Sequence, residues 1–126
     1  MTNEARTRGL ATMDAVYGAG FSQAMPDVDE PMLTETVEHL FGDIWNRPGL
    51  SIRDRRLLVL GATAALGRAD LIETQVFGAL TNGELDETAL AEAVLHLQFY
   101  VGWGNGTRVR EGVQAALSRH AGDPSR

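Results

Sequence analysis

The sequence predicts an all-α fold of six helices, and three observations carry this prediction. Apolar residues recur at helical spacing along most of the 126 residues. No run alternates between apolar and polar residues for long enough to form a strand. Glycine and proline fall mainly between the apolar segments, where they cap helices or form turns. A chain of this length is expected to form one domain, residues 1–126, with frayed ends at 1–7 and 121–126.

The first two helices are predicted from their apolar stripes and from a proline. Residues 3–18 form the first helix, with Leu10 and Met13 in its stripe. The segment "GAGFSQAMPDVDEP" is a connection, because its glycines and prolines block a continuing helix. The second helix begins near Glu30, with Pro31 in its first turn, a position that proline favours.

The third helix has the clearest start and an unusual composition. Ser51 is followed three residues later by Asp54, which resembles a capping box. The segment "LLVLGATAALG" is then apolar on nearly every side. Such a helix is expected to be buried on all sides, either at the centre of a bundle or at an oligomer interface.

The remaining helices are predicted at about 69–82, after the capping residue Asp86, and from about 105 to 120. Three glycines fall inside the helical patterns, where each costs up to about 1 kcal/mol. Close helix packing would explain them; they are Gly42, Gly61 and Gly78.

Composition argues against several function classes. The net charge is −6 and the pI is about 4.9, and no basic stripe is present, so we do not expect nucleic acid as a partner. The absence of cysteine removes disulfides, thiolate nucleophiles and cysteine metal sites. The N-terminal segment lacks an apolar signal core and no run approaches the length of a membrane span. We therefore expect a cytoplasmic protein without a membrane partner.

Two histidines are candidates for proton transfer. His96 lies in the apolar segment "AVLHLQFYVGW", where it is expected to be buried and to need a hydrogen-bond partner. It is either a satisfied core histidine or a proton donor that lines a pocket. His39 lies four residues after Glu35 and four before Asp43. It belongs either to an exposed helix with local charge pairs or to a site where flanking carboxylates raise its pKa.

An amide and a group of arginines are further candidates. Gln75 lies in the middle of the fourth helix beside the small residues Gly78 and Ala79, which would let another helix come close. Arg47 and Arg55 flank one turn, together with two further arginines. Because Arg55 lies just before the apolar run that begins at Leu57, we expect its guanidinium to pair with an interior carboxylate or to bind one on a ligand.

Three segments, in this order and spacing, resemble the carboxymuconolactone decarboxylase family: "WNRPGLSIRDRRLLVLGATAALGR", "FGALTNG" and "AVLHLQFYVGW". The resemblance covers roughly residues 8–118. It implies the all-α fold of alkylhydroperoxidase D-like proteins, and trimers or hexamers in which subunits supply one another's site walls. It also implies decarboxylation of a carboxylated lactone, such as 4-carboxymuconolactone, in aromatic catabolism, with neither a cofactor nor a metal.

The resemblance also indicates where this chain departs from its family. Family members usually have a histidine at the position of Gln75, whereas His96 matches the family's second histidine and Arg47 and Arg55 match its arginines. Redox-active relatives carry a CxxC motif where this chain has Arg68 and Leu71. Cysteine-based peroxidase and disulfide chemistry are therefore excluded by the lack of cysteine.

Decarboxylation without a cofactor needs a cation for the carboxylate, a donor for the enolate and an acid that protonates carbon. We expect Arg47 and Arg55 to anchor carboxylates, Gln75 to hydrogen-bond the carbonyl or lactone oxygen, and His96 to be the acid. Other side chains have secondary roles: Trp45 and Tyr100 would wall the pocket, and His39 with Glu38 would form a second acid–base pair.

Two alternatives to this decarboxylase stay open. One is a diverged enzyme that performs isomerisation, cyclisation or other enolate chemistry on a different oxo-acid or lactone. The other is a non-catalytic homo-oligomer that binds a small acid. Fold alone does not decide between them, since one scaffold supports many activities.

Overall fold

A computed structural model describes residues 3–124, and over these residues the protein is helical, with no strand. This confirms the predicted all-α class. The helices are α1 (Glu4–Tyr17), α2 (Pro31–Thr34, continuing as a π-helix over Glu35–Phe41), α3 (Ile52–Ala65), α4 (Ala69–Thr81), α5 (Glu87–Val101) and α6 (Trp103–Ala121), with short 3-10 turns at Phe21–Ala24 and Ile44–Asn46.

The ends of the chain were expected to be frayed. Helix α1 begins at Glu4, inside the segment 1–7, and α6 ends at Ala121. Asn3 caps α1 through a hydrogen bond that its side-chain oxygen accepts from the Arg6 backbone N–H, at 3.0 Å. The rest of the expectation, residues 1, 2, 125 and 126, lies outside the described residues.

The chain divides into two compact units, Met1–Ile52 and Arg53–Arg126. In the first unit α1 packs against the π-helix of α2, and the backbone of Gly9 lies against the Val37 carbonyl group. Asn46 reinforces this unit, because its side-chain amide donates to the Thr12 hydroxyl at 2.8 Å and to the Phe41 carbonyl oxygen at 2.9 Å.

The second unit has a continuous apolar core to which α3, α4, α5 and α6 contribute. Helix α4 packs closely on α6, and α5 packs on α6. The most buried core side chains are Leu60, Ala64, Ile72, Val76, Ala79, Leu85, Leu90, Val109, Val113 and Ala116.

A glycine of α6 permits the close α4–α6 contact. A Cβ atom at Gly112 would lie 2.7 Å from the Ala69 carbonyl oxygen and 2.8 Å from Cγ2 of Ile72. At Gly61, in contrast, no atom of another residue lies within 4 Å of such a Cβ. The close helix packing predicted at Gly61 is therefore wrong within the chain. Gly112 instead has the role that was expected of Gly61, since it allows two helices to come close.

We expect Gly112→Ala to lower the free energy of unfolding by about 1–3 kcal/mol, because the added methyl group overpacks the α4–α6 contact. A gain of up to about 1 kcal/mol in helix propensity offsets part of this cost. Gly61→Ala is the matched control and should be neutral or stabilising. Thermal unfolding at one protein concentration measures both, and equal destabilisation of the two variants would contradict the packing argument.

Helix α3 does not lie at the centre of a bundle within the single chain. Its buried residues include Arg56 and Thr63, whereas Leu58 and Leu66 are 64% and 71% exposed. The expectation of burial on all sides is wrong for one chain, and the alternative of an oligomer interface stays a prediction. Among the described residues, no helix is both long enough and apolar enough to cross a membrane.

Candidate functional site

A largely buried ion pair links α3 to the turn between α4 and α5. Arg56 is 0% exposed, and its Nε and Nη2 donate to Oε1 and Oε2 of Glu84 at 2.8 and 3.0 Å. This is the two-bond geometry that guanidinium and carboxylate groups favour. Asn82 donates to Glu84 Oε2 at 2.9 Å, so three side chains form one polar network.

Our sequence interpretation missed this network, although one signal for it exists. Arg56 lies four, seven and eight residues before Leu60, Thr63 and Ala64, which are all buried. Helical periodicity therefore places the guanidinium on the buried face of α3. Its partner Glu84 is 28 residues away and carries no comparable signal.

Gln75 belongs to the same buried network. It is 5% exposed, and its Oε1 accepts a hydrogen bond from Arg56 Nη1 at 3.2 Å. Because a guanidinium only donates, this contact assigns the oxygen end of the amide to the side facing Arg56. The catalytic role expected of Gln75 stays a prediction.

His96 is exposed, so its predicted burial is wrong. The only fully buried residue of α5 is Leu90 in the part of the chain that the structure describes. The imidazole lies beside the Tyr100 ring, with 5.2 Å between ring centroids. Among the described contacts none joins His96 to Gln75, and the structure places the two in different surroundings.

Large apolar side chains that are close to His96 in the sequence are exposed on the second unit. Leu95, Phe99, Tyr100 and Trp103 are 52–78% exposed, and we call these four residues the α5 patch. The Phe99 and Trp103 rings meet edge to face at 5.5 Å between centroids. Exposed apolar side chains that lie close together are typical of interaction surfaces.

The residues proposed to bind the substrate carboxylates and to line the pocket are distributed over both units. Arg55 is half-buried on α3 in the second unit, and Arg47 is exposed in the first unit. Trp45 is 6% exposed and stacks on Phe41, with 5.9 Å between ring centroids and nearly parallel planes. Binding roles for Arg47 and Arg55, and wall roles for Trp45 and Tyr100, stay predictions.

His39 is exposed and hydrogen-bonded to Glu35, which is a local charge pair of the kind the sequence predicts, and not to Glu38, its proposed acid–base partner. Its Nδ1 lies 3.0 Å from Glu35 Oε2. The physical reason is helical geometry, since residues four apart share a face and adjacent residues do not. Both side chains line a cleft of about 400 Å³ in the first unit, together with Met32 and Leu40.

The positions at which redox-active relatives carry cysteines have a different chemistry. Arg68 donates from Nε and Nη2 to the two carboxylate oxygens of Asp70, at 2.9 and 2.8 Å. This hydrogen bonding lowers the pKa of Asp70 to about 2. Among residues 3–124 no group of three His, Cys, Asp or Glu side chains is arranged to hold a metal ion.

The helices and these residues define an all-α protein with a buried arginine–carboxylate network and a histidine exposed within an apolar surface. More specifically, the chain belongs to the carboxymuconolactone decarboxylase family, whose sequence model matches residues 31–116.

Two relatives have described activities. The 4-carboxymuconolactone decarboxylase of Acinetobacter baylyi is 34% identical over 62 residues, which are 49% of this chain and 46% of that protein. The nitrosuccinic acid decarboxylase of Metarhizium robertsii is 39% identical over 67 residues, which are 52% of this chain and 45% of that protein. The matches thus span about half the length of each relative.

Proposed function

We propose that this protein is a decarboxylase of a small carboxylated lactone related to 4-carboxymuconolactone, and that it acts in aromatic catabolism. The observation that carries the proposal is membership of the family over residues 31–116. Both relatives are named as decarboxylases of small acids, which supports the same reaction type for this chain.

The proposed reaction breaks the bond between the substrate carbon and its carboxylate. Carbon dioxide leaves, and the bonding electron pair is delocalised through the ring double bond onto the conjugated lactone carbonyl, which forms an enolate. A proton then adds to a ring carbon of this enolate. His96 is the proposed acid, since imidazole exchanges protons near neutral pH and this ring is exposed beside Tyr100.

The other polar groups of the proposal bind the substrate. Arg47 and Arg55 are the proposed anchors, since a guanidinium can hold a carboxylate through two parallel hydrogen bonds. Gln75 is the proposed donor to the lactone oxygen through its side-chain NH₂ group, while its Oε1 accepts from Arg56. His39, with Glu35 as its partner, is the second candidate acid.

We also propose that the protein is a homo-oligomer in which a second subunit covers the α5 patch. Burying apolar side chains that are mostly exposed in one chain stabilises association by about 25 cal/mol per Å². Covering the patch would also exclude water around His96, which strengthens electrostatic interactions there. The expected number of subunits, three or six, is implied by the family resemblance.

Phe99→Glu tests this assembly. Because the substitution places a charge in the centre of the α5 patch, we expect the molar mass in solution to fall toward that of a single chain. Light scattering coupled to size-exclusion chromatography measures the mass. Thr88→Glu, which adds the same charge at an exposed position of α5, is the control and should leave the mass unchanged. An unchanged mass for Phe99→Glu would contradict the proposed interface.

The decarboxylase proposal is tested by supplying the purified protein with 4-carboxymuconolactone and measuring carbon dioxide release. We expect turnover that saturates with substrate. Binding without turnover, detected as a thermal shift, would replace the proposal with a non-catalytic acid-binding oligomer. Conversion of the lactone without carbon dioxide release would indicate isomerisation or cyclisation.

A diverged enzyme on the same scaffold is the second candidate. The observation in its favour is that Gln75 stands where family members usually have a histidine, in a buried network with Arg56. Gln75→His distinguishes the two. Decarboxylation of carboxymuconolactone that appears only in this variant would support divergence through this one change.

A further inference from the structure

A cleft between α5 and α6 of the second unit has no role in the proposed reaction. Its volume is about 290 Å³. Its lining combines charged, amide and apolar side chains, including Glu87 and Val94 of α5 and Arg110, Val113, Gln114 and Leu117 of α6.

Arg110 is distinctive among the arginines of the described chain, because the structure records for it neither a hydrogen bond nor an ion pair. The other arginines of α6 are both engaged: Arg108 with Glu111 and Arg119 with Glu73, each at 2.9 Å. The guanidinium at the cleft is therefore available to a ligand, and carboxylates are among the groups that it binds best.

The floor of the cleft is apolar. Val113 is 4% exposed, and Val94 and Leu117 are half-buried. A ligand with an apolar body fits this floor, since such a body gains free energy from each methylene group removed from water.

The two charged residues lie toward opposite ends of the cleft. Gly102 alone joins α5 to α6, and the two helices pack on each other, so they run antiparallel. Glu87, at the start of α5, is thus near Leu117 and distant from Arg110. Seven residues of α6 separate Arg110 from Leu117, which corresponds to about 10 Å along the helix.

We propose that this cleft binds a small ω-amino carboxylate. The carboxylate pairs with Arg110, the methylene chain lies over Val113 and Leu117, and the ammonium group faces Glu87. A dicarboxylate of equal length is disfavoured, because its second carboxylate meets the carboxylate of Glu87. The site is separate from the residues of the proposed decarboxylation.

The probe is 6-aminohexanoate, added to the full-length protein and followed by the methyl NMR signals of Val113 and Leu117. We expect saturable shifts, with affinity reduced about tenfold or more in Arg110→Gln, because a charge-assisted contact is lost. Arg108→Gln is the matched control on the same helix and should bind as the natural protein does. Absence of saturable shifts, or equal affinities for the two variants, would overturn the proposal.

A second variant tests the other end of the cleft. The natural protein should prefer 6-aminohexanoate to adipate, and Glu87→Gln should reduce or reverse this preference. An unchanged preference would refute the role of Glu87. If Arg110→Gln instead changes the molar mass in solution, the cleft is a contact between subunits and the proposed ligand site is wrong. Because binding is measured without turnover, the binding result can be interpreted even if the protein is not a decarboxylase.

Discussion

Replacing Glu84 by alanine is expected to lower the free energy of unfolding by about 3–5 kcal/mol, because it leaves the Arg56 guanidinium buried without its carboxylate. The buried charge of Arg56 then loses both of its hydrogen bonds to the Glu84 carboxylate, and Asn82 loses its bond to Glu84 as well. Urea unfolding at a fixed protein concentration measures this loss.

An exposed ion pair in the same unit provides the control. Arg119 and Glu73 are 2.9 Å apart, a distance similar to that in the buried pair, but their side chains are 47% and 31% exposed. Glu73→Ala should therefore cost no more than about 1 kcal/mol, as is usual for surface pairs. A cost for Glu84→Ala as small as that for Glu73→Ala would show that burial does not determine the contribution of the pair.

A double substitution separates the pair from the charge it leaves behind. Arg56→Met combined with Glu84→Leu removes both charges and keeps apolar volume, so it should recover most of the stability lost in Glu84→Ala. A double variant as unstable as Glu84→Ala would mean that the hydrogen-bonded network, including Gln75, is itself the stabilising feature.

His96→Asn is expected to lower kcat for decarboxylation by about 10²–10⁴-fold, because asparagine cannot transfer a proton to the substrate carbon. KM should change little, since the proposed anchors Arg47 and Arg55 are intact. Stability should change by no more than about 0.5 kcal/mol, because the imidazole is exposed. Steady-state kinetics with carbon dioxide detection measures the first two quantities.

His39→Asn is the matched control, because it removes the other exposed histidine, which is hydrogen-bonded to the carboxylate of Glu35. Activity should persist in this variant if His96 is the acid. If His96→Asn retains activity and His39→Asn loses most of it, the proton donor is His39 in the first unit. If neither variant loses activity, neither histidine is the proton donor.

The helices could be predicted from sequence because their signals are local. Pro31 begins α2 and α3 begins directly after Ser51, as their residue types predict. Asp86 caps α5 through a hydrogen bond from the Ala89 backbone N–H, at 2.8 Å. Caps and apolar periodicity depend only on residues a few positions apart, so no knowledge of packing is needed.

The candidate site was predicted less well. The apolar neighbours of His96 suggested burial, yet they form an exposed patch in one chain. A helix that is apolar on most sides has no single preferred face, so its sequence does not say whether the covering surface comes from the same chain or from another. The same reasoning explains why α3 was expected at the centre of the bundle.

The sequence by itself determined the all-α class, most helix boundaries and the residues on which a family resemblance could rest. Only the tertiary structure decided that Arg56 pairs with Glu84, that Gln75 faces this pair, and that Arg110 lines an open cleft. The first two contacts join residues that are 19 or more positions apart in the sequence. The cleft lies between two neighbouring helices, α5 and α6. Such pairings follow from how the helix faces meet, and local periodicity does not encode them.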